Sequence, residues 1–182
     1  MDTEKPSSRY DLSKVGVPKR FATASLDDWP PEGGVRPTSE MILITGPVGA
    51  GKTHLAAAIY RDWLRSNVHN DDTDRLAFIS VPWLLMEIRG TYNGRGVEAD
   101  VVNHYCRLRG LVLDDLGAEK VTDWSLSTLY VILSKRLDDL KATVVTTNLT
   151  LKQIHAWEPR IASRLGGMEC IELAGADRRI KS

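Results

Sequence analysis

Residues 41–45, Met-Ile-Leu-Ile-Thr, run straight into Gly46-Pro47-Val48-Gly49-Ala50-Gly51-Lys52-Thr53, followed by a helix-forming stretch over residues 55–64. A short branched apolar run, a glycine loop and a helix, in that order, are the setting of the G-x-x-x-x-G-K-[ST] motif, the P-loop. The glycines allow a tight turn whose N–H groups converge on an anion. A helix starting near Gly51 adds the positive end of its dipole to the same point. Lys52 is then placed to reach β- and γ-phosphates, and the Thr53 hydroxyl to ligate Mg²⁺. The competing reading, a glycine-rich turn that binds nothing, does not account for the lysine and hydroxyl at these two positions.

With 182 residues the chain has enough length for one domain with a substantial core. Its 24 basic and 24 acidic residues cancel, so any contact with nucleic acid must come from a local patch rather than a global field. No apolar run approaches the length of a membrane span, and the polar start does not read as a signal peptide. Cys106 and Cys170 show no paired spacing, which suits a reducing, cytoplasmic setting. His54, His69, His104 and His155 have no metal-ligand spacing with one another or with the cysteines.

Five of the eight prolines precede residue 38, so residues 1–19 read as a polar leader, mobile at its start. Within residues 20–29, Phe21, Leu26 and Trp29 are spaced to fold back on the nucleotide-binding core, either as a docked terminal segment or as a flap against adenine. Strands are expected at 76–80, 110–115, 142–146 and 170–173, alternating with helices, which predicts five parallel strands. Ser80 is expected to cap a helix that breaks at Arg89, opening an exposed loop over residues 89–96. Arg89, Tyr92 and Arg95 there suit phosphate contact and base stacking, or an ordinary solvated loop. Asp123 is expected to cap the next helix, whose Leu126, Leu129, Tyr130, Leu133, Leu137 and Leu140 recur at core spacing. Thr150 is expected to cap residues 151–157, and Pro159 to open a last helix ended by Gly166-Gly167.

The run Gly110-Leu111-Val112-Leu113-Asp114-Asp115 ends in two acids where open α/β sheets bind ligands. Asp114 is the expected Walker B ligand to Mg²⁺, and Asp115 the group that orients or polarises the attacking water. Asn148, at the end of the next strand, is placed to hydrogen-bond both a γ-phosphate and that water, although an asparagine after a strand is commonly just a turn residue.

Together these segments resemble the AAA+ ATPases of the DnaC-type helicase-loader and IstB-like ATP-binding families. The similarity is carried by Gly51-Lys52-Thr53-His54-Leu55, by Leu113-Asp114-Asp115-Leu116-Gly117 with its tail, by Val145-Thr146-Thr147-Asn148-Leu149 and by Arg160-Ile161-Ala162-Ser163-Arg164-Leu165. Gly175-x-Asp177-x-Arg179 resembles the closing sensor 2 segment of those families. The resemblance implies an α/β P-loop NTPase fold of AAA+ type, a five-stranded parallel sheet flanked by helices. It implies a core over residues 20–179, with residues 20–37 as a linker packed near adenine and residues 180–182 as a tail. The cofactors implied are ATP and Mg²⁺. Phe21 and His54 would join the P-loop in binding nucleotide, Asn148 would serve as sensor 1, and Arg179 would sense the γ-phosphate. Arg164 would be an arginine finger acting on a neighbour's nucleotide, which requires a homo-oligomer, as a ring or spiral on single-stranded DNA. A replicative helicase is the implied partner, or a transposase acting with duplex DNA in the IstB-like case.

Three departures from the family pattern stand out. The second acid is Asp115 rather than glutamate, one methylene shorter, which suits slow hydrolysis and a switch rather than a motor. Only a short leader precedes the core, where these families carry a partner-binding part. No helical lid domain is expected after Arg179. Two readings from other classes stand beside the resemblance: a small P-loop kinase, which would need an arginine-rich substrate lid, and a module that binds nucleotide without hydrolysing it.

Overall fold

The computed structural model describes residues 16–29, 37–66, 75–91, 96–118 and 122–174. Short runs rich in apolar and β-branched residues form β1 (Met41–Thr45), β2 (Leu76–Ser80), β3 (Gly110–Leu116) and β4 (Ala142–Thr147), and a more polar segment, of which only Ile171 is buried, forms the edge strand β5 (Glu169–Glu172). They make one parallel sheet in the order β2-β3-β4-β1-β5. Alternate residues of a strand point to opposite faces, and both faces here are covered. Leu43, Leu111, Leu113 and Val145 pack into one apolar layer, and Ile42, Ile44, Val112, Val144 and Ile171 into the other. This two-sided burial explains why the strands read as continuous apolar runs rather than alternating ones.

The second layer is closed by α1 (Lys52–Ser66) together with Val17, Ala24 and Trp29 from the segment before β1. The first is closed by α2 (Val81–Gly90), α3 (Glu98–Arg107), α4 (Asp123–Asp138), α5 (Leu151–Trp157) and α6 (Pro159–Leu165). Placing β4 between β1 and β3 brings the loop after β1 and the acids ending β3 to either side of the β4 terminus.

Several expectations are corrected at the helix ends. Thr122, not Asp123, caps α4: its hydroxyl accepts from Ser125 N–H at 3.1 Å, while Ser125 Oγ accepts from Thr122 N–H at 2.9 Å. Asp123 instead occupies the first turn, where its charge faces the positive helix end. Ser80 holds the N-cap position of α2 without a side-chain capping bond among the described residues, because it remains the last residue of β2, in register with Asp114. Helix α2 does not break at Arg89 but continues through Gly90. Thr150 does cap α5, with Gln153 completing a reciprocal capping box. Strand β5 begins one residue earlier than expected and ends at Glu172. The mobile start expected of the leader falls on residues 1–15, outside the described residues.

Leu140 is not a core residue. It lies beyond the end of α4, is 72% exposed and has φ 51°. A left-handed conformation costs a non-glycine residue roughly 1–2 kcal/mol, and here little burial offsets it. Leu140→Gly is therefore expected to stabilise the fold by about 0.5–1 kcal/mol after the extra unfolded-state entropy of glycine is subtracted. A urea midpoint that rises at constant slope is the confirming result.

One residue inside the α4 apolar series behaves unlike its neighbours. Arg136 is fully buried and donates to Tyr105 O (2.8 Å), Leu108 O (2.9 Å), Ala142 O (2.6 Å) and Thr143 Oγ1 (3.1 Å). It ties the end of α3 to the start of β4. Burial pushes its pKa down to about 10, which leaves it charged at neutral pH.

Candidate functional site

The site grows from the C-terminal ends of β1, β3 and β4, where parallel α/β sheets bind ligands. Gly46 leaves β1 with φ 142°, and a Cβ there would collide with the Leu173 carbonyl just beyond β5. Only glycine allows β5 to close over the loop this tightly, with Leu173 N–H donating to Thr45 O at 2.8 Å. Gly49 and Gly51 also take positive φ, and Ala50 is buried beneath the loop. Helix α1 begins at Lys52, and Leu55 N–H returns to Gly51 O at 3.0 Å. The Lys52 ammonium lies inside the loop, donating to Gly46 O (2.9 Å) and Pro47 O (2.7 Å). Lys52 and Thr53 are both buried, while Val48 at the loop tip is exposed.

The acids ending β3 occupy unequal environments. Asp114 is buried and Asp115 exposed. Burial pushes the Asp114 carboxyl up to about 6; hydrogen bonding from Thr146 opposes this, the Asp115 charge adds to it, and Thr53 and Lys52 oppose it. Asp115 has φ 59°, a left-handed conformation that aspartate tolerates better than most residues. It lines the same cavity as the P-loop residues.

The segment before β1 supplies a third wall. Residues 19–21 and 26–28 form two short 3-10 turns, the second opened by Ser25, whose hydroxyl accepts from Asp27 N–H at 3.2 Å. The buried Arg61 of α1 donates to Ala22 O, and Arg65 lies 3.9 Å from Asp27. The anchored segment sets the Phe21 ring edge-on to His54 at 6.0 Å and the Trp29 ring tilted against it at 5.4 Å. Arg20 lies over Phe21 at 4.6 Å. Together these walls form a cavity of about 460 Å³ lined by Gly49, Gly51, Lys52, Thr53, Asp115 and Asn148 from the P-loop and strand ends, and by Arg20, Phe21, Trp29 and His54 with the aromatic rings. A charged end facing an aromatic end fits a nucleoside triphosphate. Thr53 and Asp114 offer oxygen donors of the kind that Mg²⁺ takes together with phosphates.

Other expected site residues are placed differently. Arg164 is not among the described residues lining this cavity. It donates to Asp138 Oδ1 at 2.9 Å across the α4–α6 contact, and the Tyr130 phenol is held below its ordinary pKa by Ser134 and then by Arg164. Arg160 is engaged by Glu158 at 2.9 Å and lies over Tyr130 at 4.9 Å. Arg89 is exposed in the last turn of α2, its guanidinium 4.6 Å over Trp124, whose Nε1 donates to Glu98 at 2.9 Å. The expectation of an exposed loop beginning at Arg89 is corrected accordingly. Tyr92, Arg95 and Arg179 lie outside the described residues. Trp29, read from sequence as part of a flap or a docked segment, lines the cavity, whereas Arg20 as a lining residue, Arg61 as the anchor of the flap and Thr146 beside the acids carried no such expectation. For Thr146 the available signal was the Thr146-Thr147 pair ending an otherwise valine-rich strand.

The fold is the P-loop fold of AAA+ type. Residues 35–163 match the family of IstB-like ATP binding proteins, and the chain belongs to that family. A putative ATP-binding protein in an insertion sequence of Mycobacterium tuberculosis is 27% identical over 109 residues, which is 60% of this chain and 41% of that protein. The uncharacterized protein YdaV of Escherichia coli is 26% identical over 105 residues, 58% of this chain and 40% of its own. In both cases the matched part is about two fifths of the relative's length. Among solved structures, the fold is similar to the DnaC helicase loader, with a TM-score of 0.68, 21% identity, and coverage of 86% of this chain and all of that one. It is similar to DnaI (TM-score 0.66, 22% identity, 89% and 94% covered). The replication initiator DnaA bound to AMPPCP and single-stranded DNA shares the fold as well (TM-score 0.64, 20% identity, 96% and 52% covered). No helix among the described residues is long and apolar enough to cross a membrane.

Proposed function

We propose that this chain is a Mg²⁺-dependent ATPase that assembles on DNA and acts as a DnaC-like replicative helicase loader. The observation that carries the reading is the cavity on which Lys52, Thr53, Asp115 and Asn148 converge opposite the Phe21–His54–Trp29 wall. Backbone N–H groups of residues 48–51 and the Lys52 ammonium bind the β- and γ-phosphates. Thr53 and Asp114 would hold Mg²⁺, which when bound neutralises phosphate charge. Asp115 orients the attacking water, and the Asn148 amide hydrogen-bonds that water and the γ-phosphate. Phe21, Trp29 and His54 flank the base. On the resemblance alone, Arg179 senses the γ-phosphate.

Arg164 is proposed to complete a neighbouring subunit's site, because it stands apart from the cavity of its own chain. Its partner Asp138 is exposed, and an exposed ion pair contributes only about 0–1 kcal/mol. A γ-phosphate therefore competes readily for the guanidinium. Arg164→Ala is expected to leave ATP affinity unchanged and to lower turnover by about 10³-fold, the low end of the arginine-finger range. Mixing it with subunits that keep Arg164 but carry Lys52→Ala should restore part of the rate. Absence of rescue in the mixture removes the trans assignment.

The reading is tested by the ATPase rate during titration with single-stranded DNA, with duplex DNA as control. Stimulation by single strands that fades as salt rises supports the loader. A second reading, a transposition helper acting on duplex DNA with a transposase, is favoured by the similar protein from an insertion sequence; stimulation by duplex selects it. Tight ATP binding with no turnover under either condition leaves a nucleotide-controlled binding module.

A further inference from the structure

The ladder between β3 and β4 breaks at the two acids. Leu113 pairs with Val145 and Leu116 with Thr147, so Asp114 and Asp115 stand opposite Thr146 alone. Such a bulge withdraws one residue from regular pairing and re-aims its side chain. That residue is Asp115, with its φ of 59°. Its N–H donates to Thr146 Oγ1 at 2.9 Å, a side-chain acceptor in place of a ladder carbonyl. The same hydroxyl donates its one proton to Asp114 Oδ1 at 2.7 Å. Thr146 is fully buried, so this single hydroxyl has its donor and acceptor directions committed to the two adjacent acids.

The next residue extends the arrangement. Thr147 Oγ1 donates to Leu116 O at 2.8 Å and accepts from Leu149 N–H at 3.0 Å. The turn that carries Asn148 is thereby anchored to the far side of the same bulge. Valine has nearly the shape of threonine and precedes it twice in this strand, at Val144 and Val145. Packing alone would be served as well by valine at position 146. The hydroxyl serves the acids.

We infer that Thr146 is a positioning residue for the hydrolytic site, its hydroxyl holding Asp115 in the left-handed turn that faces the cavity and orienting the carboxylate of Asp114. The inference rests on the roles proposed above for those two acids. Asp115 is one methylene shorter than glutamate, so its reach depends on where the backbone turn places it. Loss of the hydroxyl leaves the Asp115 N–H unpaired at the bulge and the Asp114 carboxylate without its strand partner, while the P-loop and the aromatic wall keep their own contacts.

The test compares Thr146→Val, which removes the hydroxyl and keeps the shape, with Thr146→Ser, which keeps the hydroxyl. Two quantities are read on the whole chain: kcat for ATP, and the gain in ATP affinity on adding Mg²⁺, the latter under conditions that precede turnover. Removing the partner of a metal-site ligand typically lowers metal affinity or activity about 10–100-fold. Thr146→Val should lower kcat by that factor and lose most of the Mg²⁺-dependent gain, with metal-free ATP affinity within about twofold of wild type. Thr146→Ser should retain both quantities. A merely structural role predicts instead parallel loss of metal-free binding and of the thermal midpoint. Retention of both quantities by the valine variant overturns the inference, as does equal loss in the serine variant. If the valine variant does not fold, Thr146→Ala is put to the same two readings with the same expected outcomes. A wild-type chain that binds ATP but never hydrolyses it defeats the proposed hydrolytic function, whereas the Mg²⁺-dependent affinity still decides on Thr146.

Discussion

Lys52→Ala is expected to abolish ATP turnover and to weaken ATP binding by at least about 100-fold. The ammonium is buried inside the loop and already engages two of its carbonyls, Gly46 O and Pro47 O, at 2.9 and 2.7 Å. Hydrogen bonds from a charged donor are worth about 1.5–3 kcal/mol each. A triphosphate accepting two of them from Lys52 loses about 3 kcal/mol or more with alanine, and each 1.4 kcal/mol is tenfold in affinity. The fold should persist, because the P-loop backbone is shaped by glycines and by α1 rather than by this side chain. Titration calorimetry with ATP, alongside a thermal melt, checks both parts. A variant that folds and keeps both affinity and turnover would remove the P-loop assignment altogether.

Asp114→Asn is expected to abolish the Mg²⁺-dependent step while making the protein more stable at neutral pH. Burial is the main cause of the raised Asp114 pKa, from 3.8 to about 6. Between those two values the unfolded chain has released this proton while the native state still holds it. The native state then binds more protons, so stability falls as pH rises through the window and levels off above about 6. Each unit of such a shift corresponds to about 1.4 kcal/mol, which bounds the neutral-pH cost of the ionised group at about 3 kcal/mol. Asparagine carries no charge to desolvate, and its Oδ1 can still accept from Thr146. Without Mg²⁺, the variant should exceed wild type by about 1–3 kcal/mol at pH 7.5, with the difference vanishing toward pH 4. Added Mg²⁺ should raise the thermal midpoint of nucleotide-bound wild type and leave the variant unmoved. A less stable variant at pH 7.5 would show that hydrogen bonding to Asp114, not its desolvation, dominates at this position. The stabilised but inactive variant is the usual signature of a carboxylate kept buried for function.

Local chemistry made a large part of this arrangement legible. The glycine loop, the strand before it and the helix after it are consecutive in the chain, so spacing alone brings Lys52 and Thr53 to one point. Asp114 and Asp115 end a continuous apolar run, the pattern of a strand covered on both faces, and in parallel sheets the C-terminal strand ends carry ligands. Thr150 with Gln153 three residues on is a cap readable from order alone. Where local signals competed, the folded structure decided between them. Thr122 and Asp123 are both good caps, and the hydroxyl won because Ser125 reciprocates. Leu140 continues the apolar period of α4, yet the helix ends first and the chain turns left-handed. Arg89 precedes a glycine, but an aromatic partner on α4 accompanies the end of α2.

By itself the sequence determined the P-loop, the alternation of five strands with helices and the acids at the end of β3, because each of these depends on residues near one another in the chain. Tertiary structure alone decided the strand order, and with it the meeting of Lys52, Asp115 and Asn148 across separate strands. It decided that Arg136 is interior, since a cation in an amphipathic helix is ordinarily solvated and only four converging acceptors allow its burial. It also decided the role of Thr146. In sequence a threonine beside two valines is simply a β-branched strand residue; only a one-residue bulge in the neighbouring strand places two acids around its hydroxyl.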